Sequence, residues 1–184
     1  MKKLLATAIL GLASLTALAS GRATIEQSSA EGVNGAKNSS GYLVNYSTPI
    51  TKTLDGGFQM TTAQTDGTNS VSTRVEAFIT PRYNLGFGTA YFRTAVGTRL
   101  NSTGSSEFYA VEPGIIIPLG GNFSTRIGYR YRAAFDSGVA DTTRAERVGV
   151  TYALTKKDAF TVRYDRVRGD SNQNSWNFAY TRGF

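Results

Sequence analysis

Arg126, Arg130 and Arg132 stand an even number of residues apart within Phe123-Ser-Thr-Arg-Ile-Gly-Tyr-Arg-Tyr-Arg132. In an extended chain that spacing puts all three guanidinium groups on one face. Such a face can grip anions, or it can pair with carboxylates through the guanidinium fork. Carried through the other alternating stretches, the same parity adds Arg74, Glu76, Glu112, Arg147, Arg163 and Asp165 to that face, so that six arginines meet three acids. Acid–base or nucleophilic chemistry has little to work with, because the chain holds no histidine and no cysteine. This removes the usual transition-metal ligands, the thiolate nucleophile and the imidazole that activates a serine. No catalytic, metal-binding or cofactor-binding residue is expected, and an enzyme is not the expected reading.

The arginines need a scaffold that tolerates them. Phe123, Ile127, Tyr129 and Tyr131 alternate with them on the opposite face, and Val148, Val150, Tyr152 and Leu154, then Phe160, Val162 and Tyr164, repeat the pattern. Period-two alternation of this kind marks strands with one apolar and one polar side. Ten such segments are expected, at about 22–31, 39–49, 57–66, 70–80, 84–98, 107–118, 122–135, 144–155, 158–168 and 174–184; the first is the weakest, and eight or twelve strands are the alternatives. In the fifth segment Tyr91 and Phe92 compete for the apolar face, which leaves Arg93 and Arg99 unassigned. Connections after even-numbered strands look tight, as at Pro81–Tyr83 and Leu119–Gly121. Those after odd-numbered strands are polar and mostly longer, as at 31–38, 100–106, 136–143 and 169–173.

Aromatics facing away from a charged face suit lipid outside and water inside. The expected fold is therefore all-β: a closed antiparallel transmembrane β-barrel, which leaves no backbone edge unpaired. A secreted β-sandwich would bury the aromatics but leave three same-face arginines exposed. Residues 1–20 read as a cleaved signal peptide, with Lys2 and Lys3, an apolar run from Leu4 to Leu18, and small residues at Ala19 and Ser20. Residues 21–184 then form one barrel domain. A mean hydropathy of −0.23 fits a wall whose lipid-facing residues are diluted by lumen-facing ones. Net charge is +7, and beyond the signal the basic residues are arginine apart from Lys37, Lys52, Lys156 and Lys157. For an exported chain this points to lipopolysaccharide, small anionic solutes or internal carboxylates as partners, and not to nucleic acid.

The chain closes on Trp176-Asn-Phe178-Ala-Tyr180-Thr-Arg-Gly-Phe184. This resembles the last strand of bacterial outer-membrane β-barrels, and the resemblance implies that Trp176, Phe178, Tyr180 and Phe184 belong to the signal read by the barrel-assembly machinery. The Gly128-Tyr-Arg-Tyr-Arg132 run is similar, more narrowly, to the oligogalacturonate-specific porin family, whose members are longer and have twelve strands. The expected function is a small outer-membrane porin-like channel, a monomer, passing small anionic or polar solutes through a lumen lined by the nine charged residues above. The alternative is a closed structural or surface-interaction barrel in which the same arginines form internal salt bridges.

Overall fold

Alternation becomes strand throughout. The computed structural model describes residues 21–102 and 104–184; the expected signal peptide lies outside them. Ten strands follow in order: β1 (Arg22–Gly32), β2 (Ser39–Thr51), β3 (Leu54–Thr65), β4 (Val71–Asn84), β5 (Thr89–Asn101), β6 (Gly104–Gly120), β7 (Phe123–Ala134), β8 (Thr143–Ala153), β9 (Asp158–Gly169) and β10 (Gln173–Gly183). Each pairs antiparallel with its neighbours in sequence, and β1 closes on β10, from Arg22 opposite Gly183 to Gly32 opposite Gln173. The first strand, weakest in sequence, is thus paired on both sides, along its whole length with β10 and from Arg22 to Ala30 with β2. One closed sheet replaces any sandwich.

Register fixes the barrel's shape. The row of directly opposed residues starting at Val71 runs through Gln64, Ser40, Ser29, Trp176, Tyr164, Val148, Ile127, Ile115 and Ala90, and returns to β4 at Tyr83, 12 residues from its start. For ten strands with ordinary spacing this shear implies a tilt of about 40° and a backbone radius of about 10 Å. That radius matters for the interior. Arginines from opposite walls can reach a common carboxylate across it.

Both termini and the links 52–53, 85–88, 121–122 and 154–157 lie at one end, here the turn end. Gly120 and Gly121 take φ of 97° and 57° there, which suits residues without a Cβ. Two boundaries differ from the sequence reading. β4 runs through Pro81–Tyr83, and its turn falls at 85–88, where Asn84 Oδ1 accepts from the Gly86 amide. The stretch 100–106 is largely strand, because β5 and β6 pair out to Asn101 opposite Gly104. At the loop end the longest link is 135–142, between β7 and β8.

The outer wall is apolar. Phe58, Phe92, Val96, Trp176 and Phe178 are all more than 40% exposed, a surface that water would penalise and hydrocarbon would not. Among the described residues, the large buried apolar side chains inside are Phe78, Tyr91 and Phe108, each set against small residues on the next strands: Phe78 opposite Gly57 and Ala95, Phe108 opposite Gly97, and Tyr91 opposite Gly114.

Candidate functional site

The lumen at mid-height is crossed by a chain of ion pairs. At its centre is Glu112 of β6. Its Oε1 accepts from Tyr91 Oη at 3.1 Å and Arg126 Nη2 at 3.0 Å. Its Oε2 accepts from Arg147 Nη1 at 2.7 Å, with Arg130 Nη1 3.7 Å away. Arg130 of β7 reaches across to Glu76 of β4 at 2.6 Å, and Glu76 also accepts from Arg93 Nη2 at 2.7 Å. On the other flank Arg163 of β9 holds Glu26 of β1 through both terminal nitrogens at 2.9 Å, and its Nε donates to Asp165 at 2.8 Å. Arg147 Nε, 3.7 Å from Asp165, joins the two halves. Glu112 is 2% exposed and Arg130 7%. Charges this deep persist because each meets opposite charge on more than one side.

Aromatic rings complete the network. The Arg93 guanidinium lies 3.7 Å from the Phe78 ring centroid, and Arg126 lies 4.2 Å from that of Tyr91, contacts that draw cation toward π-face. Tyr91 Oη also accepts from Arg126 Nε at 2.8 Å. This settles the fifth strand: Tyr91 is 4% exposed, inside, and Phe92 is 45% exposed, on the outer wall. The reason lies on its neighbours. Tyr91 shares a row with Gly114 and Gly128, and a Cβ on either glycine would overlap its ring or hydroxyl. Two glycines on successive strands make the seat for one tyrosine.

Toward the loop end the network opens into a cavity of about 340 Å³, lined at its inner end by Glu26, Glu76, Arg130, Arg147, Arg163 and Asp165 and at its outer end also by Asp170. Arg74, Arg99 and Arg132 line it, with small residues such as Ser28, Ser39, Ser72 and Ser175. The buried Asp141, carried in by the 135–142 loop, lies among them: its Oδ1 accepts from Arg132 Nη2 at 2.7 Å and Arg99 Nη1 at 3.0 Å. Among the described residues, no ion pair is made by Arg74. A second cavity, of about 250 Å³, lies at the turn end beside Arg22, Asp55, Lys156 and Phe184. Asp55 there pairs with Arg82.

All nine charged residues expected on the inner face are on it. Sequence parity missed five more members: Glu26, Tyr91, Arg93, Arg99 and Asp141. Arg93 and Arg99 follow once the glycine row fixes β5, and Glu26 follows from accepting β1. Asp141 had no such signal, since it sits in a loop and parity says nothing of loops. Trp176, Phe178 and Tyr180 face outward, and the Phe184 amide donates to the Gly21 carbonyl at 3.0 Å. Among the described residues no acidic group gathers in a metal-binding arrangement.

No protein-family model and no curated protein sequence matches the chain. Solved structures do. The β domain of the Bordetella autotransporter BrkA matches with a TM-score of 0.54 and 13% identity over 90% of this chain and 100% of that one. The COG4313 outer membrane channel of Pseudomonas putida F1 matches at 0.52 and 12%, over 90% and 96%. The fold is that of a bacterial outer-membrane β-barrel. The translocator domain of autotransporter NalP from Neisseria meningitidis matches this barrel too, at 0.51 and 9%, over 100% and 98%. The KdgM porin solved with disordered oligogalacturonate matches at 0.45 and 11%, over 90% and 99%. That likeness is too loose to carry the narrower resemblance, and this barrel's ten strands depart from twelve.

Proposed function

We propose that the protein sits in the outer membrane of a Gram-negative bacterium as a monomeric, narrow porin-like barrel. Its turns and termini face the periplasm, and Trp176, Phe178, Tyr180 and Phe184 serve as its assembly signal. Its lumen admits small anions through a basic outer vestibule to a constriction formed by the ion pairs around Glu112 and Arg130. One observation carries this reading: among the described residues, six arginines line the cavity against five carboxylates, with Arg99 and Arg132 sharing that of Asp141 and Arg74 making no ion pair. An arginine excess in a narrow, low-dielectric passage favours anionic permeants. Lower down, Arg93, Arg126, Arg130, Arg147 and Arg163 face Glu26, Glu76, Glu112 and Asp165, so the constriction also keeps a positive excess.

The test is single-channel recording of the refolded protein in planar bilayers under a salt gradient. Small steps with an anion-selective reversal potential are expected, and Arg74→Glu should lower that preference. Cation selectivity, or a preference unmoved by Arg74→Glu, would overturn the assignment. A second reading, a closed barrel with a structural role, is favoured by the burial of Glu112 and Arg130. It forecasts no steps at all, from a protein that is nonetheless folded and inserted.

A further inference from the structure

We propose that Arg144, Arg166 and Arg168 form a seat on the outer wall for the phosphorylated headgroup of the outer-leaflet glycolipid. The inference rests on the outer-membrane placement above. These three side chains share the outward parity of Val148 and Tyr164, not that of the lumen. Arg144 stands directly opposite Arg168, and Glu146 directly opposite Arg166. Like charges facing across a strand pair repel, and on a wall bordering lipid there is little water to screen them. Glu146 offsets one arginine, lying 3.4 Å from Arg166 with both side chains more than half exposed. Arg168 donates to neutral acceptors: the carbonyls of Val167 and Gln173 at 2.6 and 3.2 Å, and Asn174 Oδ1 at 3.1 Å. Its charge is oriented but not cancelled. Among the described residues, neither Arg144 nor Arg168 makes an ion pair with a carboxylate.

Height decides what the missing anion is. Tyr164 and Trp176 pack with ring centroids 5.1 Å apart, and Tyr131 lies directly opposite Arg144. Aromatics at this position mark the boundary between hydrocarbon and headgroups. With the tilt given above, the three arginine Cα atoms stand roughly 2–7 Å beyond Trp176 along the barrel axis. That is headgroup level, on the face where phosphates are the abundant anions. Two guanidinium groups on adjacent strands match a phosphate that accepts from both.

Trp176, the only tryptophan in the chain, reports on the site. The full barrel in detergent is titrated with diphosphorylated lipid A while its fluorescence is followed. A saturable change is expected, at least tenfold weaker in the Arg144→Gln/Arg168→Gln variant and with lipid A stripped of its phosphates. Equal binding by variant and native protein, or indifference to the lipid's phosphates, would overturn the proposal. So would inorganic phosphate producing the same change at similar concentration, since that would be a free-anion site. Should the variant misfold, the phosphate dependence of the native protein still decides. Insertion of the refolded barrel into bilayers checks the membrane placement separately, so the two failures are distinct.

Discussion

The middle of the lumen and the vestibule above it are built from the same residue types to opposite effect. In the middle, Glu26, Glu76, Glu112 and Asp165 all stand on strands and pair with arginines whose positions are fixed by the ladder, Glu26 with Arg163 and the others with two or more. In the vestibule, Arg74, Arg99 and Arg132 stand on strands, but the carboxylate that Arg99 and Arg132 share arrives on a loop. Charge pairs set wholly by strand register are held in place by the ladder itself. A pair that depends on a loop can open without the barrel unfolding, since loops hold the low end of local stability. On the proposed reading the middle then serves as structure, and the vestibule as a binding surface with an adjustable counter-charge.

The hub should respond most. Glu112→Ala leaves Arg126 without a carboxylate and Arg147 with only Asp165 at 3.7 Å, while Arg130 keeps Glu76. Removing one partner of a buried ion pair costs about 3–5 kcal/mol. Urea unfolding of the inserted barrel, followed by its gel shift, should show a loss of that size. A loss below about 1 kcal/mol would mean that water already carries these charges, and the contrast between middle and vestibule would disappear.

What was legible in sequence cuts across the two regions: Arg74 and Arg132 of the vestibule were read by parity, while Glu26, Tyr91 and Arg93 of the middle were not. Period-two alternation makes inward and outward positions readable, so Arg126, Arg130, Arg132, Arg147, Arg163, Glu76, Glu112 and Asp165 could be placed on one face without coordinates. It failed at Tyr91-Phe92, where both parities carry an aromatic. The answer lay one and two strands away in Gly114 and Gly128, whose lack of side chains is meaningful only once the register is known. The turn at 85–88 was displaced for a related reason: Pro81 looks like a turn residue, yet it stands at an outward strand position opposite Leu54. Asp141 was out of reach because a loop residue has no parity. Its role comes from the fold of 135–142 over the barrel mouth.

Asp141→Asn sharpens the contrast from the other side. The amide keeps the shape and one acceptor oxygen for Arg99 and Arg132, but removes the negative charge. Weakening two charge-assisted hydrogen bonds beside a cavity should cost about 2 kcal/mol, less than the change at Glu112. Its effect on permeation should be the larger sign. Anion preference, read from the reversal potential, should rise, because Arg99 and Arg132 then join Arg74 in facing the cavity without an ion-pair partner. A stability loss as large as that of Glu112→Ala, with selectivity unmoved, would make Asp141 part of the structural core and erase the distinction.

The smallest effect expected is at Tyr91→Phe. The ring would stay on its glycine seat and under the Arg126 guanidinium, so packing and the cation–π contact are kept. Lost is a hydroxyl that donates to Glu112 Oε1 and accepts from Arg126 Nε. Both of those groups retain each other at 3.0 Å, so neither charge is stranded. A loss of about 1 kcal/mol follows, measured by the same urea titration. The comparison with Glu112→Ala is what carries information. If the hydroxyl proved as costly as the carboxylate, the tyrosine would be holding Glu112 in place for all its arginines. The rigidity of the middle would then come from aromatic packing against Gly114 and Gly128, with the ion pairs following that geometry and not creating it.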